Sequence, residues 1–416
     1  MDAFERDFFT DPELVRDPAP YYRALQKLGP VVREPHRGVF LISGIEELLA
    51  VYADHESFSA IVSALGPFVT LPEAAEGESL AEAVERGRAE IPLSDQIITF
   101  DPPKHTRHRK LLNKLFTPNR LKENEDFMWT LADGLIDEFA SGGEVELCGD
   151  YSAPFTLLVI ADLLGVPRED HELFRGWLQG DGTPVAGDTA GTTGGSEVFA
   201  RLAPYFTGYI EERRAAAGKD VLTQLATARF PDGELPEVVD VVRLASILFA
   251  AGGETTARLI ATGMRILAEQ PALADELRAD ATTIPNFVEE CLRLESPIKG
   301  AFRLALRDTQ LAGVDIPTGS IVMAMNGAAN RDPRVFEDGN RFDSKRPNAR
   351  RNIAFGHGEH FCPGASLARA EARISFERLL ARLDDVQLAD ASALRYAPSF
   401  IIRGLEKLDL RFGARG

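Results

Sequence analysis

Residues 355–364 read Phe-Gly-His-Gly-Glu-His-Phe-Cys-Pro-Gly, and they lead directly into the helical sequence ASLARAEARISFERLL of residues 365–380. Cys362 therefore stands where a glycine-rich loop meets the start of a helix. Backbone N–H groups and the positive end of the helix dipole lower the pKa of a thiol in that position and stabilise its thiolate. The local sequence thus predicts that Cys362 is held as an anion.

Two other interpretations of this stretch are open from the residues alone. Cys362 could be a buried structural cysteine, or a zinc ion could be bound by His357, His360 and Cys362. The zinc interpretation needs a fourth ligand, which no neighbouring residue clearly supplies. Cys148 and Cys291 lie too far apart for a CxxC site, and we interpret them as inert residues of the core or of helices.

Six fixed positions within these ten residues, Phe-Gly-x-Gly-x-His-x-Cys-x-Gly, resemble the haem-binding loop of the cytochrome P450 family. Three further motifs occur in the family's order and spacing, so the resemblance spans nearly the whole chain. It implies that Cys362 is the axial thiolate ligand of a haem b iron, as in a soluble bacterial haem-thiolate monooxygenase. It also implies haem contacts from Phe355, Gly356 and Gly364.

The second motif lies in the longest predicted helix, which runs from about residue 236 to residue 270. Its middle reads Ala251-Gly-Gly-Glu-Thr-Thr256, although each glycine costs a helix about 1 kcal/mol relative to alanine. The segment resembles the family's oxygen-binding segment, which implies that Ala251 and Gly252 lie beside the haem. The resemblance further implies that Glu254 and Thr255 deliver the two protons that oxygen activation requires in an apolar pocket.

The third motif is Asp101-Pro-Pro-Lys-His-Thr-Arg-His-Arg109, in which His105 and Arg109 lie on one helix face at i,i+4. It resembles the family's propionate-binding helix, and the resemblance implies that these two residues pair with the haem carboxylates together with Arg303 and His360. His108 has no such counterpart, so we expect it to be a surface histidine.

The fourth motif is Glu290-Cys-Leu-Arg293, with Arg346 downstream. Alone, a Glu and an Arg at i,i+3 predict an ordinary surface ion pair worth a few tenths of a kcal/mol. The family resemblance implies instead a Glu-Arg-Arg network that supports the haem loop.

The substrate pocket is expected to have walls that are almost all apolar or small. An uncharged hydrophobic substrate of the terpenoid, steroid or aromatic class suits such walls. Lys299 departs from this trend, and it would either meet a substrate carboxylate or point into solvent. The residues that the resemblance assigns to the pocket are Leu93, Ile97, Ile98, Ile247, Ala250, Ile298, Ala301, Phe400 and Ile401.

Helical periodicity dominates the 416 residues, which predicts a mainly α (α+β) protein with a long central helix and small antiparallel sheets. We expect a single haem domain over residues 1–416, because no linker or repeat interrupts the chain. Strand-like alternation predicts a hairpin over 31–43 and further strands within 304–325 and 399–411. Residues 61–101 and 180–195 are expected to be long loops.

The composition excludes several classes of function. With 46 Lys and Arg against 64 Asp and Glu, the net charge is −18, which argues against nucleic acid or a membrane surface as partner. The sequence has no run of about 18 apolar residues, and its acidic N-terminus lacks the features of a signal peptide. Three cysteines, an odd number, favour the reducing cytoplasm over a disulfide framework.

The family resemblance implies a monooxygenase that hydroxylates an apolar molecule with dioxygen. The chain has no room for a flavin domain, so we expect electrons from a ferredoxin and an NAD(P)H-dependent ferredoxin reductase, and we expect a monomer. Local basic clusters could steer an acidic ferredoxin. A peroxygenase or isomerase of the same fold, or a non-catalytic haem sensor, is the alternative, and Glu254 with Thr255 weighs against both. The basic residues are Lys104, Arg107, Arg109, Lys110, Lys114, Arg350 and Arg351.

Overall fold

α-Helices form most of the chain in the computed structural model, which describes residues 3–112, 115–178, 194–216, 218 and 220–414. A π-helical turn, Cys148–Ser152, leads directly into the seventh helix. The helices of the described residues are α1 Pro12–Arg16, α2 Ala19–Leu28, α3 Ile45–Ala53, α4 Leu80–Arg86, α5 Lys104–Leu112, α6 Pro118–Phe139, α7 Ala153–Leu164, α8 His171–Leu178, α9 Gly194–Ala215, α10 Val221–Ala226, α11 Val238–Glu269, α12 Pro271–Ala279, α13 Ile284–Leu294, α14 Asn326–Ala329 and α15 Ala365–Arg382.

Short strands form one mixed sheet and three smaller antiparallel ones. The five-stranded sheet has the order β1-β2-β8-β5-β3, in which only the β2–β8 pair is parallel. The others are β4-β12-β9, β10-β11 and β6-β7. The strands are β1 Val31–Arg33, β2 Phe40–Ile42, β3 Phe58–Ser59, β4 Glu144–Glu146, β5 Ala301–Ala305, β6 Thr309–Leu311, β7 Val314–Ile316, β8 Ile321–Ala324, β9 Leu383–Leu388, β10 Arg395–Tyr396, β11 Leu405–Lys407 and β12 Asp409–Ala414.

The long central helix is α11, whose 32 residues span about 48 Å at 1.5 Å per residue. Its C-terminal half is almost entirely buried in the larger hydrophobic core, and the helix as a whole packs against α7, α9 and α15. Gly263 permits the close approach to α15, because a Cβ there would overlap the Phe376 ring. This packing holds α15, the helix that follows the cysteine loop, against the C-terminal half of α11.

Most predicted elements are confirmed. Both ends of the central helix lie within two residues of the predicted ones, and the predicted hairpin forms as β1 and β2. The loop expected over 61–101 is wrong in part, because α4 forms there behind a capping box in which Ser79 and Glu82 bond reciprocally. Of the second expected loop, residues 180–193 lie outside the described residues, and α9 begins at Gly194.

Candidate active site

Cys362 lies two residues before Gly364, the residue that caps α15. Its N–H donates to the carbonyl of Phe355 at 3.0 Å, so the loop closes on itself, and Gly356 takes a left-handed φ of 71° inside the turn. Burial raises the pKa of the Cys362 thiol, while the Gly364 N–H and the Arg109 guanidinium lower it by a smaller amount. The Gly364 N–H thus acts in the direction that the helix start predicts, but burial has the larger effect on the thiol. A metal cation bound at the sulfur would favour the thiolate.

The zinc interpretation fails on the arrangement of the side chains. In the described part of the chain, no three His, Cys, Asp or Glu residues are placed to share a metal ion. His360 instead uses Nε2 for a 3.1 Å hydrogen bond with the carbonyl of Phe100. Its ring also stacks on His105, with the ring centroids 4.0 Å apart. Cys362 is therefore left as a single protein ligand, which suits a metal held by another group.

Four groups that are, or can become, cationic converge beside this loop from three parts of the sequence. His105 and Arg109 lie on α5, and Arg109 donates to the carbonyl of Phe361 at 2.5 Å. Arg303 on β5 is buried and donates to Ser63 Oγ at 2.9 Å. Because Arg303 lowers the pKa of both His105 and His360, all four groups share one electrostatic environment.

This cluster has little counter-charge, with Asp101 acting on Arg303 and Glu359 near His105. Burial, and then the neighbouring guanidiniums, lower the pKa of His105 to about 4. Its buried Nδ1 has no hydrogen-bond partner, and the Glu359 carboxylate stands 4.0 Å away. Within the described residues, neither Arg109 nor Arg303 forms an ion pair. A ligand that carries two carboxylates, such as haem with its propionates, fits this donor set.

The middle of α11 is exposed in a helix that is otherwise buried. Ala251 is exposed, and residues 252–255 are half-buried. Gly252 packs against α7, where a Cβ would lie 3.2 Å from Ile160. Thr156 of α7 donates to the carbonyl of Gly253 at 2.6 Å. Close helix packing and this cross-helix bond offset the cost of the two glycines, and sequence reasoning missed Thr156.

Glu254 and Thr255, the two residues expected to deliver protons, make separate sets of contacts. The Thr255 hydroxyl donates to the carbonyl of Ala251 at 2.9 Å. Glu254 forms an ion pair with Arg258 at 2.8 Å, one helical turn further on. Burial raises the pKa of Glu254, and Arg258 lowers it in part. Sequence reasoning missed Arg258, although its i,i+4 spacing from Glu254 was visible.

Glu290, Arg293 and Arg346 form one buried network. The Glu290 carboxylate accepts from Arg293 Nε at 2.7 Å and from Arg346 Nε at 3.2 Å. Both guanidiniums otherwise donate to main-chain carbonyls, those of residues 330, 339 and 341 for Arg293 and of residues 337, 338 and 341 for Arg346. Asn330 extends the network to the haem loop, since its Oδ1 accepts from the N–H of Ile353 at 2.8 Å.

The residues assigned to the pocket do not lie in one cluster, and Ala301 packs against a third cluster besides the two described next. Ile97 is buried in the larger core cluster, with Ile247 and Ala250 half-buried against it, whereas Ile98 is 37% exposed. Leu93 and Ala301 are half-buried. Phe400, Ile401 and half-buried Ile298 belong instead to a second cluster near the N-terminus. There, the Phe400 ring lies 4.9 Å from the Phe68 ring and 5.9 Å from the Phe302 ring.

Two expectations about single residues are wrong. His108 is buried, not on the surface, because its ring lies between Phe100 and Phe230 and its Nδ1 contacts the carbonyl of Lys104 at 2.8 Å. For Lys299 the alternative that is wrong is the one in which it points into solvent. It is 1% exposed, and its Nζ donates to the carbonyl of Ser399 at 2.6 Å.

A cysteine loop beside a cation cluster, in a molecule whose central helix is exposed at its middle, fits a haem-thiolate protein. The model of the cytochrome P450 family matches residues 205–388. The cytochrome P450 monooxygenase PikC of Streptomyces venezuelae is 34% identical over 96% of this chain and 92% of its own length. The vitamin D(3) 25-hydroxylase of Pseudonocardia autotrophica is 34% identical over 96% of this chain and 95% of its own length.

The solved structure of Mycobacterium marinum cytochrome P450 CYP150A6 in the substrate-free form has a TM-score of 0.91, 45% identity and 100% coverage of both chains. The chain belongs to the cytochrome P450 family. It is a monooxygenase-class enzyme with a haem-thiolate cofactor, and it works with dioxygen and a redox partner. No helix among the described residues is long and apolar enough to span a membrane.

Proposed function

We propose that the protein binds haem b and hydroxylates a hydrophobic small molecule of the terpenoid, steroid or aromatic class. The observation that carries this proposal is the convergence of His105, Arg109, Arg303 and His360 beside the Cys362 loop. Ile97 and Ile247 lie in or against the larger apolar cluster and would form apolar walls, which supports an uncharged substrate. A relative named as a vitamin D(3) 25-hydroxylase supports the same substrate class.

The protein's part in the reaction begins with holding the cofactor. Cys362 would supply the axial thiolate, and the four residues of the cation cluster would pair with the two propionates. When bound, the haem supplies the redox chemistry of dioxygen. The Glu290 network would keep the Cys362 loop in place through Asn330 and Ile353.

In this proposal, two residues of α11 supply the protons. Glu254 would hold a proton at the edge of the cavity, and Thr255 would pass it on from its hydroxyl. This pair favours oxygen activation over the peroxygenase, isomerase and sensor alternatives, none of which needs such a relay. Within an apolar cavity, these two side chains would be the route by which protons enter without bulk water.

The proposed electron donor is a ferredoxin reduced by an NAD(P)H-dependent reductase. Two of the basic residues are less available to a ferredoxin, because Arg107 is paired with Asp232 and Glu234 and the Lys104 amine lies over the Phe100 ring. Lys110, Arg350 and Arg351 are exposed near the cysteine side, although Arg350 also pairs with Glu289 at 3.4 Å, whereas Lys114 lies outside the described residues. We propose that these three exposed residues meet an acidic partner, and that the protein acts as a monomeric haem domain in the cytoplasm.

The test is the absorption spectrum of the reduced, carbon-monoxide-bound protein. The wild type should show the strongly red-shifted Soret band of a thiolate ligand, and Cys362→Ala should lose it. Cys291→Ala is the matched control, since Cys291 is buried in α13 and should leave the band unchanged. A histidine-type spectrum in the wild type, or a red-shifted band in Cys362→Ala, would overturn the proposal. NAD(P)H oxidation with a surrogate ferredoxin then separates an enzyme from a sensor.

A further inference from the structure

Among the described residues, the hydrogen bonds that Glu254 accepts through its carboxylate end on one oxygen. Both hydrogen bonds from Arg258, from Nη2 at 2.8 Å and Nε at 3.2 Å, end on Glu254 Oε1. Oε2 is therefore not engaged by Arg258. The Glu254 side chain is 22% exposed, whereas Arg258 is 9% exposed, so the pair has a more open end and a buried end.

Arg258 is fixed at its buried end. Its third nitrogen, Nη1, donates to the carbonyl of Leu405 on β11 at 3.0 Å. An ordinary i,i+4 ion pair on a helix surface has two mobile side chains and contributes a few tenths of a kcal/mol. Here the guanidinium connects α11 to a strand near the C-terminus, and its orientation is set from outside the helix.

The residue directly before β11, Gly404, leaves room for the Arg258 side chain. Gly404 packs on the stem of Arg258, where a Cβ would lie 2.5 to 2.7 Å from the Cβ, Cγ and Cδ atoms of the arginine. Any other residue at 404 would force the guanidinium to move. The contact between Gly404 and Arg258 is thus a second, independent constraint on where the Glu254 carboxylate is held.

We propose that Arg258 is a positioning residue that clamps Oε1 of Glu254 from β11, so that Oε2 is the atom that carries the transferred proton. This inference rests on the proposed function, in which Glu254 supplies protons. When the O–H bond at Oε2 breaks, the proton would bond to the Thr255 hydroxyl oxygen as that hydroxyl releases its own proton onward, and the electron pair of the broken bond stays on the carboxylate, where the charge is balanced by Arg258. A proton from water then restores the acid. The carboxyl group need not rotate away from its partner during this cycle.

The electrostatics agree with this geometry. Burial raises the pKa of Glu254, and the nearby guanidinium opposes that rise. Among the described residues, from every element packed around this part of α11, Arg258 is the one charged group that acts on the pKa of Glu254. An opposite charge within about 4–6 Å lowers a carboxyl pKa by about 1 to 3 units.

The experiment is a pH titration of the Glu254 carboxyl in the carbon-monoxide-bound holoenzyme, followed by infrared difference spectroscopy. The band of the protonated acid is assigned by its loss in Glu254→Gln. In Arg258→Met the midpoint should rise by about 1 to 3 pH units, and in Arg258→Lys by less, because the charge remains without the planar fork. Glu269→Gln, which breaks the i,i+4 pair with Arg265 further along α11, should leave the midpoint unchanged.

An unchanged midpoint in Arg258→Met, with haem bound, would overturn the clamp even if thermal stability falls, because a merely structural arginine would alter stability alone. If Arg258→Met does not bind haem, the midpoint of Glu254 is measured in Gly404→Ala instead, because this variant keeps both charges and only displaces the arginine. A shifted midpoint supports the proposal, and an unshifted one refutes it. Failure of the thiolate spectrum would refute the proposed function instead, so the two failures are distinguishable.

Discussion

Replacing Glu290 with glutamine should destabilise the protein by about 3–5 kcal/mol, the usual effect of breaking a buried ion pair. The Glu290 carboxylate is fully buried and accepts four hydrogen bonds, two from Arg293, one from Arg346 and one from the N–H of Asp343. Glutamine would turn an amide donor toward a guanidinium and leave both buried arginines without counter-charge. Such a loss removes a large fraction of the roughly 5–15 kcal/mol that stabilises a folded domain.

The assay is guanidinium unfolding at matched haem content, followed by circular dichroism and by haem absorbance. The control is Glu123→Gln, because Arg120 and Glu123 are also an i,i+3 pair, yet they are 3.5 Å apart and the Glu123 side chain is 69% exposed. The control should lose at most about 0.5 kcal/mol. A loss below about 1 kcal/mol for Glu290→Gln, or equal losses for both variants, would refute the reasoning.

Three further outcomes are expected. Gly263→Ala should destabilise the protein by about 1–3 kcal/mol and so lower its unfolding temperature, because the new Cβ would clash with the Phe376 ring. Gly134→Ala, where the new Cβ would meet open space, should not lower it. Equal unfolding temperatures for the two variants would contradict this packing. Burial raises the pKa of Glu371 from 4.5 to about 8, so this group makes stability fall as pH rises between those values, and Glu371→Gln should remove that fall in denaturation curves. Burial lowers the pKa of Lys299 from 10.5 to about 7, so this group makes stability rise over that interval; Lys299→Met should abolish the rise, and a persistent rise would point to other groups.

The sequence predicted most reliably the features whose signals are local. The bounds of α11 follow from the apolar pattern that ends before Pro271, and α15 follows from the periodic residues after the cysteine loop. The helix α4 could also have been found, because Ser79 and Glu82 have the spacing of a capping box.

What could not be predicted depends on which distant residues meet a side chain. His108 is polar and lies on a highly charged helix, yet Phe100 and Phe230 cover it from two other segments. Lys299 is buried because the carbonyl of Ser399, a hundred residues away, accepts its amine hydrogen bond. The clamp on Glu254 likewise needs Leu405 and Gly404, which no local spacing connects to α11.

The arginines of the Glu290 network impose an unusual constraint on the segment that they bind. Arg293 and Arg346 donate to main-chain carbonyls of residues 330 to 341, and every residue type has a carbonyl. These bonds by themselves put no demand on side-chain type, so the segment is restricted only where a residue has contacts of its own, as at Asn330, whose Oδ1 accepts from Ile353, and at Gly339, where a Cβ would lie 2.5 Å from the carbonyl oxygen of Arg331. The length of the segment is restricted throughout, because one inserted or deleted residue would move the carbonyls out of reach of both guanidiniums.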